Sequence, residues 1–169
     1  MITLVVVFVV MIVLASMVAN LEPELPAFME DNGIQKTDPT TGSANPNVVI
    51  VFFGDFANET SASISTSLST LLQEFPNEVL VAWKDFPNST LNNESARAAI
   101  AARCAQNQDA FWPYYDFLMS HQYELGAELY TEIAKELELD VKKFTSCLEN
   151  LDTLDLVESS ANEGLELDL

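Results

Sequence analysis

The sequence predicts an α/β domain: a βαβ unit over 48–84 followed by a helical block over 95–163. Three observations carry this. Val48–Phe53 (VVIVFF) is an unbroken apolar run that ends at Gly54, and a run of that length bounded by turn residues reads as a strand buried on both faces. Ile64, Leu68, Leu71, Leu72 and Phe75 then recur at helical spacing as one apolar stripe, stopped at Pro76-Asn77. Val79–Trp83 is a second apolar run, ending in Lys84-Asp85-Phe86-Pro87. Two strands joined through a helix lie parallel with a right-handed crossover.

Ahead of that unit, Ile2–Ala19 is apolar except for Thr3 and Ser16. Eighteen such residues span roughly 27 Å as a helix, close to the thickness of a bilayer core. The stretch is expected to be a transmembrane anchor or a signal peptide, with Val13-Leu14-Ala15 a tolerable cleavage site. No Lys or Arg precedes it and the first basic residue is Lys36, so flanking charge does not orient it. Residues 20–47 read as a linker, with Pro23, Pro26, Pro39 and Pro46 spread through it and a short strand expected at Ile34–Thr37.

After the second strand the pattern turns helical. Ser95 is the expected cap of an Ala-rich helix through Gln106 that carries Cys104. Asp109 is the expected start of the next, loaded with Phe111, Trp112, Tyr114, Tyr115 and Phe117, and Pro113 lies early enough for its missing N–H to be tolerated. That aromatic cluster reads as core. Gly126 precedes a third helix with Leu129, Ile133 and Leu137 on one face. Asp140 caps a fourth, in which Val141, Phe144 and Leu148 pack beside Cys147. Leu151–Asn162 is a last, acidic, moderately amphipathic segment.

The net charge of −19, from 26 acidic and 7 basic residues, argues against nucleic acid and anionic membrane surfaces as partners. It reads as solubility, with an acidic tail for a basic partner as the alternative. Asn58-Glu59-Thr60, Asn88-Ser89-Thr90 and Asn93-Glu94-Ser95 are glycosylation sequons, a number that chance accounts for.

Together these stretches resemble the DsbA-type thiol:disulfide oxidoreductases of the thioredoxin-fold superfamily, over about residues 42–165. VVIVFFGDF resembles the family's first core strand running into its active-site helix, and VAWKDFP its second strand. SARAAIAARCAQNQDAFWPYYDFLM and LELDVKKFTSCL are similar to its helical insert. The resemblance implies a thioredoxin-like, DsbA-type fold with a helical insert. In that family a Cys-x-x-Cys follows the Asp-Phe pair; here the corresponding residues are Asn58, Glu59, Thr60 and Ser61. The family also continues into a cis-proline loop, two antiparallel strands and a closing helix, about where this sequence ends, so the sheet is expected to be incomplete.

These residues define the candidate sites. Asn58–Ser61 falls where backbone N–H groups and the helix dipole converge, a place that holds anions or activates a cysteine. Its plain role is a helix cap, with Asn58 as N-cap and Glu59 favouring the dipole. Ser61 as a nucleophile would need a base, and the one histidine, His121, lies far along the sequence. Cys104 and Cys147 are 43 positions apart, which indicates neither Cys-x-x-Cys chemistry nor a metal site. Family members carry a second, structural disulfide in the helical block, so the resemblance suggests a bridge; two separate buried thiols are the alternative. No cofactor or metal is expected.

The function expected is a membrane-tethered, extracytoplasmic DsbA-like domain without the redox pair, or a secreted one if the N-terminal segment is cleaved. It would be a non-catalytic binding or assembly module for exported proteins. Its partner would be an exported protein, or a second copy, over the uncovered sheet. The alternatives are a thiol:disulfide oxidoreductase by descent and a truncated, non-functional gene product.

Overall fold

The structure, a computed structural model, describes residues 25–88 and 93–169. The apolar segment 2–19 lies outside the described residues. Among those described, no helix is long and apolar enough to cross a membrane. The chain divides into two compact units, 1–35 and 36–169. In the first, the short helix α1 (Ala27–Glu30) ends in a turn in which Asn32 Nδ2 donates to the Phe28 carbonyl.

The second unit is an α/β domain. Its elements in order are β1 (Thr40–Gly42), β2 (Val48–Gly54), α2 (Glu59–Glu74), β3 (Val79–Asp85), α3 (Glu94–Gln106) and α4 (Phe111–Ser120). A 3-10 turn at Gln122–Glu124 follows, then α5 (Ala127–Glu136), α6 (Val141–Asn150) and α7 (Leu154–Glu166). The sheet has three strands in the order β1-β3-β2. β2 and β3 are parallel, with Val48 opposite Val79 and Gly54 opposite Asp85. β1 pairs antiparallel with β3, Thr40 opposite Ala82.

The burial of the strands corrects one expectation. β2 is not buried on both faces: Val48 is 49% exposed, and Val49, Ile50, Val51 and Phe53 are half-buried. β3 takes the central place and every one of its residues is buried. The physical reason is neighbours. Among the described residues β2 has one strand beside it and β3 has two.

The linker region also differs. Ile34–Thr37 is irregular, and the strand there forms over Thr40–Gly42 instead. It is anchored by Trp83 N–H to the Pro39 carbonyl at 2.9 Å and by Trp112 Nε1–H to the Thr40 carbonyl at 2.8 Å.

Two helix starts move as well. Asn93, not Ser95, caps α3, its side chain accepting from Ala96 N–H at 3.0 Å. Ser95 lies inside the helix and spends its hydroxyl elsewhere. Asp109 adopts φ 59°, a left-handed conformation that cannot begin a right-handed helix, so α4 starts at Phe111. Asp140 does cap α6, accepting from Lys143 N–H at 3.1 Å. The acidic last segment is the helix α7.

The core centres on Trp83. Phe52 and Tyr115 stand edge-on to it at 5.3 and 5.0 Å, and Phe56 tilts over it at 4.8 Å. Of the aromatic cluster on α4, Phe111, Tyr114 and Tyr115 are buried, and Trp112 and Phe117 half-buried. Ala98, Ala99, Ala101, Ala102 and Ala105 are all buried in α3, because small side chains let neighbouring helices approach closely. α7 packs against β3 near its C-terminal end, where a Cβ on Gly164 would lie 2.6 Å from the Phe86 ring.

Charged side chains join these layers. Lys84, 1% exposed, pairs with Asp38 at 2.6 Å and Glu163 at 2.5 Å. Arg103, also 1% exposed, places Nε 2.6 Å from Asp85 Oδ2 and Nη1 2.6 Å from the Thr37 carbonyl. Trp83 Nε1 donates to the other Asp85 oxygen at 2.7 Å. Burial pushes the Asp85 carboxyl above the usual carboxylate range, opposed by the Arg103 charge and the Trp83 donor. Removing one partner of such a group strands the other as a buried charge, at about 3–5 kcal/mol. Arg103→Met is therefore expected to lower the urea-unfolding free energy by about that amount. A loss near that of an exposed ion pair, about 1 kcal/mol or less, would show that the cluster is not buried in solution.

Candidate functional site

β2 and β3 run parallel and end together at Gly54 and Asp85, and the turn after β2 opens directly into α2. Gly54 is required by contact: a Cβ there would collide with the Trp83 ring. Asp55 is 5% exposed and organises the turn. One of its oxygens accepts from Ala57 N–H at 2.8 Å and from the Ser95 hydroxyl at 2.7 Å; the other faces Asn88 N–H at 3.3 Å. Phe56, 1% exposed, turns inward onto Trp83 and Tyr115.

Asn58 then sits at the N-cap in an extended conformation. Its Oδ1 accepts from Thr60 N–H at 2.8 Å and Ser61 N–H at 3.4 Å. Glu59 occupies the first turn, where the dipole favours it. Ser61 is buried at 8%, and its hydroxyl accepts from Asp55 N–H at 3.1 Å. Two N–H groups that an anion or thiolate would use are thus already engaged within the turn.

Two residues that sequence reasoning missed close over this terminus. Gln122 Nε2 donates to the Phe56 and Asn58 carbonyls at 2.8 and 3.0 Å. The Tyr123 hydroxyl, on a side chain 87% exposed, donates to Glu59 Oε1 at 2.6 Å. No local signal marks either one, since the contacts span more than sixty positions of chain. His121 lies beside them but does not serve Ser61. Its Nδ1 is 2.9 Å from the Phe117 carbonyl and 3.0 Å from the Ser120 hydroxyl, and its ring stacks on Phe117. Asn58–Ser61 therefore forms a capped helix start that the His121 imidazole does not serve.

Cys104 and Cys147 are brought together away from this terminus, as a disulfide between α3 and α6 with Cα atoms 5.9 Å apart. Closing a loop of 43 positions contributes ~4 kcal/mol in the chain-entropy picture. Among the described residues, no cluster of three or more His, Cys, Asp or Glu could hold a metal ion.

Residues 35–169 match the sequence profile of the family described as thioredoxin. The chain belongs to the thioredoxin family. Solved structures agree on the fold. A thioredoxin-like oxidoreductase from Silicibacter pomeroyi superposes with a TM-score of 0.70 at 22% identity, covering 79% of this chain and 76% of that one. The thiol-disulfide exchange protein α-DsbA2 from Wolbachia pipientis gives 0.66 at 22% identity, covering 80% and 73%. Oxidised BdbD from Bacillus subtilis gives 0.69 at 17% identity, covering 79% and 77%. The fold is thus a DsbA-type thioredoxin fold with a helical insert and a small, three-stranded sheet.

Two curated relatives are named as sodium/proton antiporters. NhaA 1 from Salinispora arenicola is 31% identical over 107 residues, 63% of this chain and 16% of that protein. NhaA from Herminiimonas arsenicoxydans is 28% identical over 135 residues, 80% of this chain and 21% of that protein. The chain thus spans between a sixth and about a fifth of the length of these relatives.

The contact between Glu59 and Tyr123 gives this thioredoxin-family domain a spectroscopic handle. The hydrogen bond to Glu59, and then its charge, raise the Tyr123 phenol above its ordinary value. Burial pushes Tyr115 up to about 12 and Tyr114 and Tyr130 higher still, whereas Tyr123 is 87% exposed and is expected to ionise before them. Glu59→Gln is expected to move the earliest step of phenolate absorbance to lower pH. An unmoved first step would mean the Glu59–Tyr123 contact does not form in solution.

Proposed function

We propose that this chain is an extracytoplasmic, DsbA-like domain that works by binding rather than by thiol–disulfide exchange at its helix terminus. Residues 2–19 tether it to a membrane, and it serves as an assembly module for exported proteins. The observation that carries the reading is the content of the α2 N-terminus. The DsbA-type resemblance places the redox pair there, and this chain has Asn58, Glu59, Thr60 and Ser61 instead. An amide and a hydroxyl cannot accept or pass on a disulfide. Asn58 caps the backbone donors, and Ser61 is tied to Asp55.

A surface for binding lies along the outer edge of β2. Val48 N–H bonds to the Glu78 carbonyl and the Gly54 carbonyl accepts from Phe86 N–H, so the even-numbered residues face β3. The backbone groups of Val49, Val51 and Phe53 then point outward, where the described residues supply no further strand. From Val48 to Gly54 the strand has no charge and no proline to discourage pairing. An extended segment of an exported protein would add there as a strand. A second copy is the weaker occupant, because two chains of net charge −19 repel.

The disulfide is in keeping with an oxidising compartment. That a similar stretch occurs within proteins named as antiporters supports a setting at a membrane.

An insulin-reduction assay with dithiothreitol tests the inert terminus. The parent chain is expected to stay at the uncatalysed rate. The Asn58→Cys/Ser61→Cys variant is expected to rise by on the order of tenfold or more, because a helix N-terminus lowers a cysteine's pKa. Parent turnover that disappears on Cys104→Ser or Cys147→Ser would overturn the non-catalytic reading. A silent double-cysteine variant would show that this terminus is not the redox position.

A further inference from the structure

Lys142 and Lys143 stand on the rim of a cleft of about 460 Å³ that the two cysteines also line. They are two of only 7 basic residues in a chain of net charge −19. Asn107, Ser146 and Asp152 complete much of the wall, so two ammonium groups and one carboxylate line it, and Lys143 also lies 3.8 Å from Asp140. The disulfide forms its floor. Its two ends differ: Cys147 is 7% exposed and Cys104 1%. Asn107 Nδ2 lies 3.9 Å from Cys147 Sγ, on the cleft wall. Cys104 Sγ faces inward, 3.8 Å from the buried Thr153 hydroxyl.

We propose that Cys104–Cys147 is a thiol-exchange site, entered at Cys147 by a small anionic thiol that the lysine rim attracts. The entering thiolate bonds to Cys147 Sγ as the bond between the two protein sulfurs breaks. The electron pair leaves on Cys104 Sγ, which takes a proton from solvent; the Thr153 hydroxyl 3.8 Å away donates to the Ile100 carbonyl and would have to turn to reach it. A second thiolate then bonds to the sulfur of the first and releases Cys147. Two small thiols are oxidised to one disulfide, and the protein disulfide is reduced to two thiols.

The consequence is conformational as well as chemical. The bond pins α6 to α3, and α6 leads through Thr153 into α7, whose Glu163 holds Lys84. Exchange would remove the covalent restraint between α6 and α3, next to the α7 that packs on β3. The proposal goes beyond the binding role of β2 and does not depend on it.

The test uses the full chain in its native state, with disulfide loss followed by thiol alkylation and mass spectrometry. Glutathione, an anionic thiol, is compared with cysteamine, whose amine is cationic, at equal thiolate concentration and low salt. The chain's net charge of −19 slows any anionic thiol, so the readout is how each rate changes when the two lysines are reversed. In Lys142→Glu/Lys143→Glu the glutathione rate is expected to fall by roughly tenfold, with the cysteamine rate unchanged or raised, and added salt should shrink the difference. Both lysines are exposed, and an unchanged melting curve checks that the variant folds. Peptide mapping of the trapped intermediate should place glutathione on Cys147. Resistance of the native chain to both thiols, equal rates for parent and variant, or glutathione on Cys104 would overturn the proposal.

Discussion

Lys84 and Asp85 are consecutive residues at the end of a strand buried on both faces, and the rest of the domain is arranged to make their burial tolerable. A strand alternates its side chains, so the two project to opposite sides of the sheet. Lys84 meets Asp38 and Glu163; Asp85 meets Arg103 and the Trp83 indole. The segment before β1, the last turn of α3 and the last turns of α7 each contribute a charge. Among the described residues no buried side-chain nitrogen or oxygen lacks a hydrogen-bond partner. A charge left unpaired in such a place costs several kcal/mol. A one-residue slip of β3 would exchange the faces of Lys84 and Asp85 and separate both from their partners. The cluster therefore sets register and helix placement together.

That register places the turn after β2. With Gly54 opposite Asp85, Asp55 falls where Ser95 and Asn88 N–H can reach it, and Asn58 arrives at the N-cap of α2. The side chains that occupy this terminus are caps. The same sheet leaves β2 with one strand neighbour among the described residues. The proposed binding role rests on these two features, the capped terminus and the outward backbone groups of β2.

The parts of this fold legible in the sequence were those with a strong local period or cap. The βαβ unit, the capping roles of Asn58 and Asp140 and the aromatic core on α4 all follow from spacing. Burial of β2 did not, because VVIVFF reads alike in a central strand and in an edge strand; only pairing distinguishes them. The place of β1 is not legible, because a strand of three residues carries almost no pattern. Asn93 and Ser95 are equally good caps for α3 by type, and only the tertiary contact with Asp55, which draws the Ser95 hydroxyl away, distinguishes them. The closure of the site by Gln122 and Tyr123 depends on tertiary contacts alone.

The most direct measurement is amide hydrogen exchange on the full chain, with and without a reduced, carboxymethylated protein that stays unfolded and cannot form disulfides. If the domain binds extended polypeptide through β2, exchange should slow at Val49, Val51 and Phe53 while Ile50 and Phe52, already bonded to β3, stay unchanged. Unaltered exchange along the whole strand, or slowing confined to other surfaces, would contradict a binding role for this edge.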